Sequence, residues 1–114
     1  SGEFTAAIGS YRQALAENVN TLVRKTVSLN LGVLLCKAGE TAEAEIALKE
    51  AVKLNANDSL ARAKAYLYLA KNCVAAQDNQ GARDYATVVT TLFSDPEIVS
   101  EAKKILDSTS DGVK

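Results

Sequence analysis

The sequence predicts an all-α chain in which antiparallel helix pairs stack side by side. Apolar residues recur at intervals of three and four along most of the chain, which is the spacing of one face of an α-helix. The sequence also repeats itself, because the segment 2–8 resembles 39–45 and the segment 31–51 resembles 69–89. Repeats of about 20 to 50 residues are typical of stacked helix pairs, since a single pair cannot bury its apolar face alone.

Apolar faces define the first three helices, which we expect over 3–18, 21–38 and 41–55. Gly39 follows the second of them and is expected to end it in the left-handed conformation. A connection this short makes consecutive helices antiparallel neighbours. The three faces comprise Phe4, Ala7, Ile8, Tyr11, Ala14 and Leu15, then Leu31, Leu34, Leu35 and Ala38, and finally Ala44, Ala47, Leu48, Ala51 and Val52.

Capping signals introduce the remaining three helices, expected over 59–77, 80–93 and 96–108. Side chains that accept hydrogen bonds stand at their starts, in the segments 57–59, 78–79 and 94–97. In the last segment we expect an acceptor side chain to cap the helix, Pro96 to occupy the first turn, where its missing N–H costs nothing, and Glu97 to interact favourably with the helix dipole. We therefore expect a single domain over 1–108, followed by a loose polar tail over 109–114.

Charge and composition exclude several classes of partner. The net charge of -1 removes the electrostatic attraction that supplies most nucleic-acid affinity, so nucleic acid is not expected to bind. No apolar run approaches the roughly 20 residues that span a bilayer. The chain contains no methionine, and we therefore expect it to be part of a longer protein, whose compartment the sequence does not indicate.

The sequence offers no residues for catalysis, for a cofactor or for a metal. It has no histidine, and its glycines do not form a phosphate-binding loop. The two cysteines, Cys36 and Cys73, stand in apolar helical segments and are expected to be buried and unreactive. We therefore expect a protein that is not an enzyme.

The spacing of small and large residues resembles that of the tetratricopeptide repeat. Small residues at fixed positions let helix backbones approach closely, and large residues fill the gaps beside them. The resemblance covers about residues 2–95 and implies a right-handed α-solenoid of about two and a half repeats plus a C-terminal capping helix. The matching residues are Ala7, Tyr11 and Ala14, then Leu31, Gly32, Leu35, Ala44, Leu48 and Ala51, and finally Tyr66, Leu69, Ala70, Cys73, Ala82, Ala86 and Val89.

The pattern also departs from that family. Ser28 replaces a large aromatic residue, Ala56 replaces the usual proline, and the repeats are longer than the family's interval of about 34 residues. An ordinary helical bundle with a chance repeat of alanines is the alternative interpretation.

The resemblance implies a protein–protein interaction module that binds a peptide or partner protein in a concave groove. In the family, the first helix of each pair lines this groove. Asn30 and Lys64 stand where members that clamp an acidic peptide C-terminus carry an asparagine and a lysine, but Tyr68 stands where an arginine is expected. With three lysines, the groove should favour an acidic or extended peptide. Its expected residues are Thr26, Leu29, Asn30, Val33, Lys37, Lys64, Leu67, Tyr68 and Lys71.

Two alternatives remain at this point. Asn30 could hold helix pairs together while the lysines are merely solvated, and the chain could be a structural spacer or self-association segment without a peptide ligand. A homodimer through the first helix is a related hypothesis, because its apolar stripe has no preceding helix to cover it. The stripe could also narrow against the helix at 41–55 and leave the chain monomeric.

Overall fold

Helices account for 87% of the residues that the computed structural model describes, namely 2–17 and 20–109. No strand occurs in these ranges, so the predicted all-α class is confirmed. The six helices are α1 (Gly2–Glu17), α2 (Thr21–Lys37), α3 (Thr41–Leu54), α4 (Ser59–Ala75), α5 (Asn79–Leu92) and α6 (Pro96–Thr109). None of them combines the length and apolar character that crossing a membrane requires.

Side-chain caps mark where four of the helices begin. Asp58, Asp78 and Asp95 each accept a hydrogen bond from the backbone N–H three residues further on, at 3.1, 2.9 and 3.1 Å. These bonds satisfy N–H groups that have no partner inside the helix, and they confirm the predicted caps of α4, α5 and α6. Asn20 caps α2 in a similar way, accepting from the Leu22 N–H at 2.8 Å.

The same left-handed turn ends α2 and α4. Gly39, with a φ of 82°, confirms the predicted stop after α2. Gln77 occupies the equivalent place after α4 with a φ of 62°, so α4 ends two residues earlier than the sequence predicted. In both turns a backbone N–H group donates a hydrogen bond to the carbonyl oxygen five residues earlier. The N–O distance is 2.9 Å where Glu40 donates and 2.8 Å where Asp78 donates.

The last helix is one residue longer than predicted. Thr109, which the sequence placed in the polar tail, belongs to α6, and its hydroxyl donates to the Ile105 carbonyl at 2.7 Å. The rest of the predicted tail, 110–114, lies outside the described residues.

Two sets of packing contacts organise the helices. Each helix packs against its neighbour in sequence, and in addition α2 packs against α4 and α4 against α6. The helices α2, α4 and α6 therefore lie side by side. In contrast, among the described helices the backbone of α1 lies close to that of α2 alone.

Two clusters of buried side chains meet at α4. The first joins α1 to α4 and the second joins α4 to α6, so that α4 supplies Leu69 to one and Leu67 to the other. The buried members are Ile8, Leu31, Leu35, Ala44, Leu48 and Leu69 in the first, and Leu67, Ala70, Ala86, Val89 and Ala102 in the second.

A glycine sets the distance between α2 and α3. A Cβ atom added at Gly32 would lie 2.6 Å from Leu48 Cδ2 and 3.2 Å from the Leu48 backbone nitrogen. The predicted role of Gly32 as a point of close helix approach is therefore confirmed.

Buried asparagines tie consecutive helices together. Asn72 of α4 donates from Nδ2 to the Thr41 carbonyl of α3 at 2.8 Å. Asn55, after α3, donates to the Lys25 carbonyl of α2 at 3.4 Å and to the Ala51 carbonyl at 2.8 Å. Asn55 and Asn72 thus hold neighbouring helices together, as the sequence analysis considered for Asn30, whose own alternative stays open.

Candidate functional site

The predicted residues of α2 form a continuous stripe of mixed polarity. Their spacing of three and four residues keeps them on one side of the helix. Thr26 and Lys37 are exposed at the two ends of the stripe, whereas Leu29, Asn30 and Val33 are half-buried between them. The stripe therefore offers apolar surface in its middle and a cation at the C-terminal end of α2.

On α4, three of the four predicted residues reach the surface. Lys64 is exposed, and Tyr68 and Lys71 are half-buried. Leu67, which the sequence placed in the groove, is only 2% exposed. It packs in the core cluster with Ala102 because α6 covers this side of α4, so it is not available to a ligand.

Together these residues define a surface on the neighbouring helices α2 and α4, which we call the α2–α4 face. Leu29 and Tyr68, one from each helix, both pack against the same core cluster. The face comprises Thr26, Leu29, Asn30, Val33, Lys37, Lys64, Tyr68 and Lys71.

Lys71 contacts a residue of a third helix, α6, in addition to its own helix α4. Its ammonium nitrogen lies 4.7 Å from the centre of the Tyr68 ring and 2.6 Å from Oε1 of Glu101 on α6. The sequence gave no signal for this pair, because Glu101 lies 30 residues away and its approach depends on how α6 packs against α4.

The charges of two of the lysines act on the thiol of Cys36. Burial raises the pKa of its thiol, and the charges of Lys71 and Lys37 oppose that rise. Both ammonium groups therefore lie close enough to act on one sulfur atom. Since burial dominates, the thiol stays protonated at neutral pH.

The second cysteine lies in a different environment. The pKa of the Cys73 thiol is raised to about 11, mainly by burial and to a smaller extent by the carboxylates of Asp78 and Glu45. At neutral pH this thiol also stays protonated, as the sequence led us to expect of a buried cysteine.

A cleft separates α1 from α3 on another part of the surface. It encloses about 280 Å³, and its floor is the α2 surface around Ser28, Leu31 and Leu35. An ion pair between Arg12 and Glu43 spans the gap between the two outer helices. Because Arg24 and Glu50 also line the cleft, its charges are balanced.

The apolar stripe of α1 is less exposed than the sequence suggested. Ile8 is buried, and the other five members of the stripe are half-buried. Phe4, Tyr11 and Leu15 pack against the core cluster that Ile8 shares with α2 and α3. The exposed large apolar side chains lie on other helices and are Leu22, Ile46, Leu60, Val74 and Leu92. A homodimer through α1 thus stays a prediction, with a small apolar surface to support it.

No cluster of three His, Cys, Asp or Glu side chains suited to a metal ion occurs within residues 2–17 and 20–109. The α2–α4 face carries lysines, an asparagine, a threonine, a tyrosine and aliphatic side chains. No known family model matches the chain, and the searches of curated proteins and of solved structures also gave no match.

Proposed function

We propose that this chain is a tetratricopeptide-like α-solenoid segment that binds an acidic, extended peptide on the α2–α4 face. The order of helix contacts supports the solenoid, because α2, α4 and α6 are neighbours and each also packs against the helix before it. In such a stack the row of first helices offers one continuous surface. Side chains on rigid helices lose little conformational entropy when a ligand binds.

The observation that carries the proposal is the distribution of charge and apolar surface on this face. It holds three lysines, and half-buried Leu29, Val33 and Tyr68 lie among them. The lysines attract ligand carboxylates, while the apolar side chains offer surface that an extended chain can cover. Lys37 and Lys64 have no carboxylate within ion-pair distance among the described residues, so both are available to a ligand.

Reversing the charge of both available lysines should abolish binding. We expect Lys37→Glu with Lys64→Glu to weaken the binding of a peptide of alternating glutamate and alanine by roughly 2–4 kcal/mol, since each change removes an attraction and adds a repulsion. Titration calorimetry at low ionic strength measures this loss. Both side chains are exposed, so the thermal unfolding midpoint should stay close to that of the parent.

A matched variant controls for net charge. Lys53→Glu with Lys103→Glu makes the same change in net charge at two exposed lysines outside the face and should leave binding within a few-fold of the parent. If the parent chain binds neither the glutamate–alanine peptide nor its glutamine–alanine counterpart, peptide binding is refuted and a structural spacer becomes the better description.

A further inference from the structure

Lys71 differs from the other two lysines of the α2–α4 face because it already has a counter-ion. Its ammonium lies 2.6 Å from the Glu101 carboxylate, whereas no carboxylate in the described part of the chain pairs with Lys37 or Lys64. The Tyr68 ring lies against the same ammonium at 4.7 Å. Lys71 therefore contributes less positive charge to an incoming ligand than its position alone would suggest.

The pair is open to solvent and to exchange. The Lys71 side chain is 34% exposed and that of Glu101 is 44% exposed. Ion pairs with this degree of exposure contribute little to stability, because water and salt compete for both partners. A ligand carboxylate can consequently replace Glu101 at Lys71 at small cost.

Glu101 cannot move far from the face. Its neighbour Ala102 is fully buried in the cluster that joins α6 to α4, and Ile98 and Ile105 pack against the same cluster. This packing holds the backbone at Glu101 beside α4. The carboxylate therefore remains near the edge of the surface that the proposed ligand would cover, also when a ligand displaces it from Lys71.

From this geometry we infer that Glu101 acts as an internal competitor, which occupies Lys71 in the place of a ligand carboxylate and lowers the affinity of the α2–α4 face for acidic peptides. The inference rests on the function proposed above. In this way α6 contributes to selectivity in addition to its packing role. A ligand with a carboxylate near α6 must displace Glu101 from Lys71, whereas a ligand that is neutral near α6 need not displace it.

The test is the affinity of Glu101→Gln for the glutamate–alanine peptide, measured by titration calorimetry. We expect binding about fivefold tighter than that of the parent chain, since the change frees Lys71 and removes a repulsion. Glu50→Gln, on α3 and away from the face, makes the same change in net charge and should alter affinity far less. When Lys71→Gln is added to Glu101→Gln, most of the gain should disappear, because the gain acts through Lys71.

The outcomes separate this inference from the proposed function. If the parent binds the peptide and Glu101→Gln binds it equally well, Glu101 is not a competitor although the face still binds peptide. An equal gain in Glu50→Gln would also overturn the inference, because net charge alone would then explain it. If neither the parent nor Glu101→Gln binds, both proposals fail together.

Discussion

Replacing Gly32 with leucine is expected to lower the free energy of unfolding by about 2–4 kcal/mol. Even the first atom of a side chain at this position would lie 2.6 Å from Leu48 Cδ2 and 3.2 Å from the Leu48 backbone nitrogen. The side chain of Leu48 can turn aside, but its backbone can move only if α3 moves away from α2. Because Leu48 is fully buried, such a movement would disturb the cluster that joins α1 to α4.

Gly9→Ala is the control for this substitution. A Cβ at Gly9, on α1, would have no neighbouring atom within 4 Å, and alanine favours a helix over glycine by up to about 1 kcal/mol. This variant should therefore be as stable as the parent or slightly more stable. Equilibrium unfolding in urea compares the two variants, and a Gly32→Leu protein as stable as Gly9→Ala would contradict the α2–α3 packing described here.

Truncating Leu48 to alanine is expected to have a comparable or larger effect, about 2–5 kcal/mol. Leu48 is 0% exposed and contacts the point where Gly32 allows α2 to approach. The truncation removes buried methyl groups and leaves a cavity that the close-packed helices can fill only in part.

Ile46→Ala provides a comparison on the same helix. Ile46 lies two residues before Leu48 and is 71% exposed, so its truncation should change stability by no more than about 0.5 kcal/mol. Thermal and urea unfolding should both give this ranking. Equal losses for the two variants would mean that α3 presents a different face to the core.

Sequence patterns predicted those parts of the fold that depend on neighbouring residues. The apolar spacing and the capping signals together predicted all six helices, and the caps at Asp58, Asp78 and Asp95 depend on hydrogen bonds between near neighbours in the chain. Gly39 was identifiable as a left-handed residue because glycine has no Cβ penalty there. Gln77 adopts the same conformation without that compositional signal, and for this reason the end of α4 was placed two residues too late.

Features that depend on contacts between distant segments were not predictable from local patterns. Leu67 was assigned to the groove from its position in the repeat, but the packing of α6 against α4 buries it. Glu43 is exposed, yet it pairs with Arg12 across the gap between α1 and α3, and no local pattern in the sequence indicates this pair. For the candidate site, the sequence indicated which residues of α2 and α4 to consider, whereas it gave no signal for the ion pair between Lys71 and Glu101.

The most direct test of peptide binding on the α2–α4 face is an NMR titration of the isotopically labelled chain with the glutamate–alanine peptide. Changes in backbone amide shifts locate the contact surface without any substitution. We expect the largest changes on α2 and α4, around Asn30, Val33, Lys37, Lys64 and Tyr68, and little change on α3 around Ile46. Shift changes confined to the cleft between α1 and α3, or no changes at saturating peptide, would contradict the proposed binding surface.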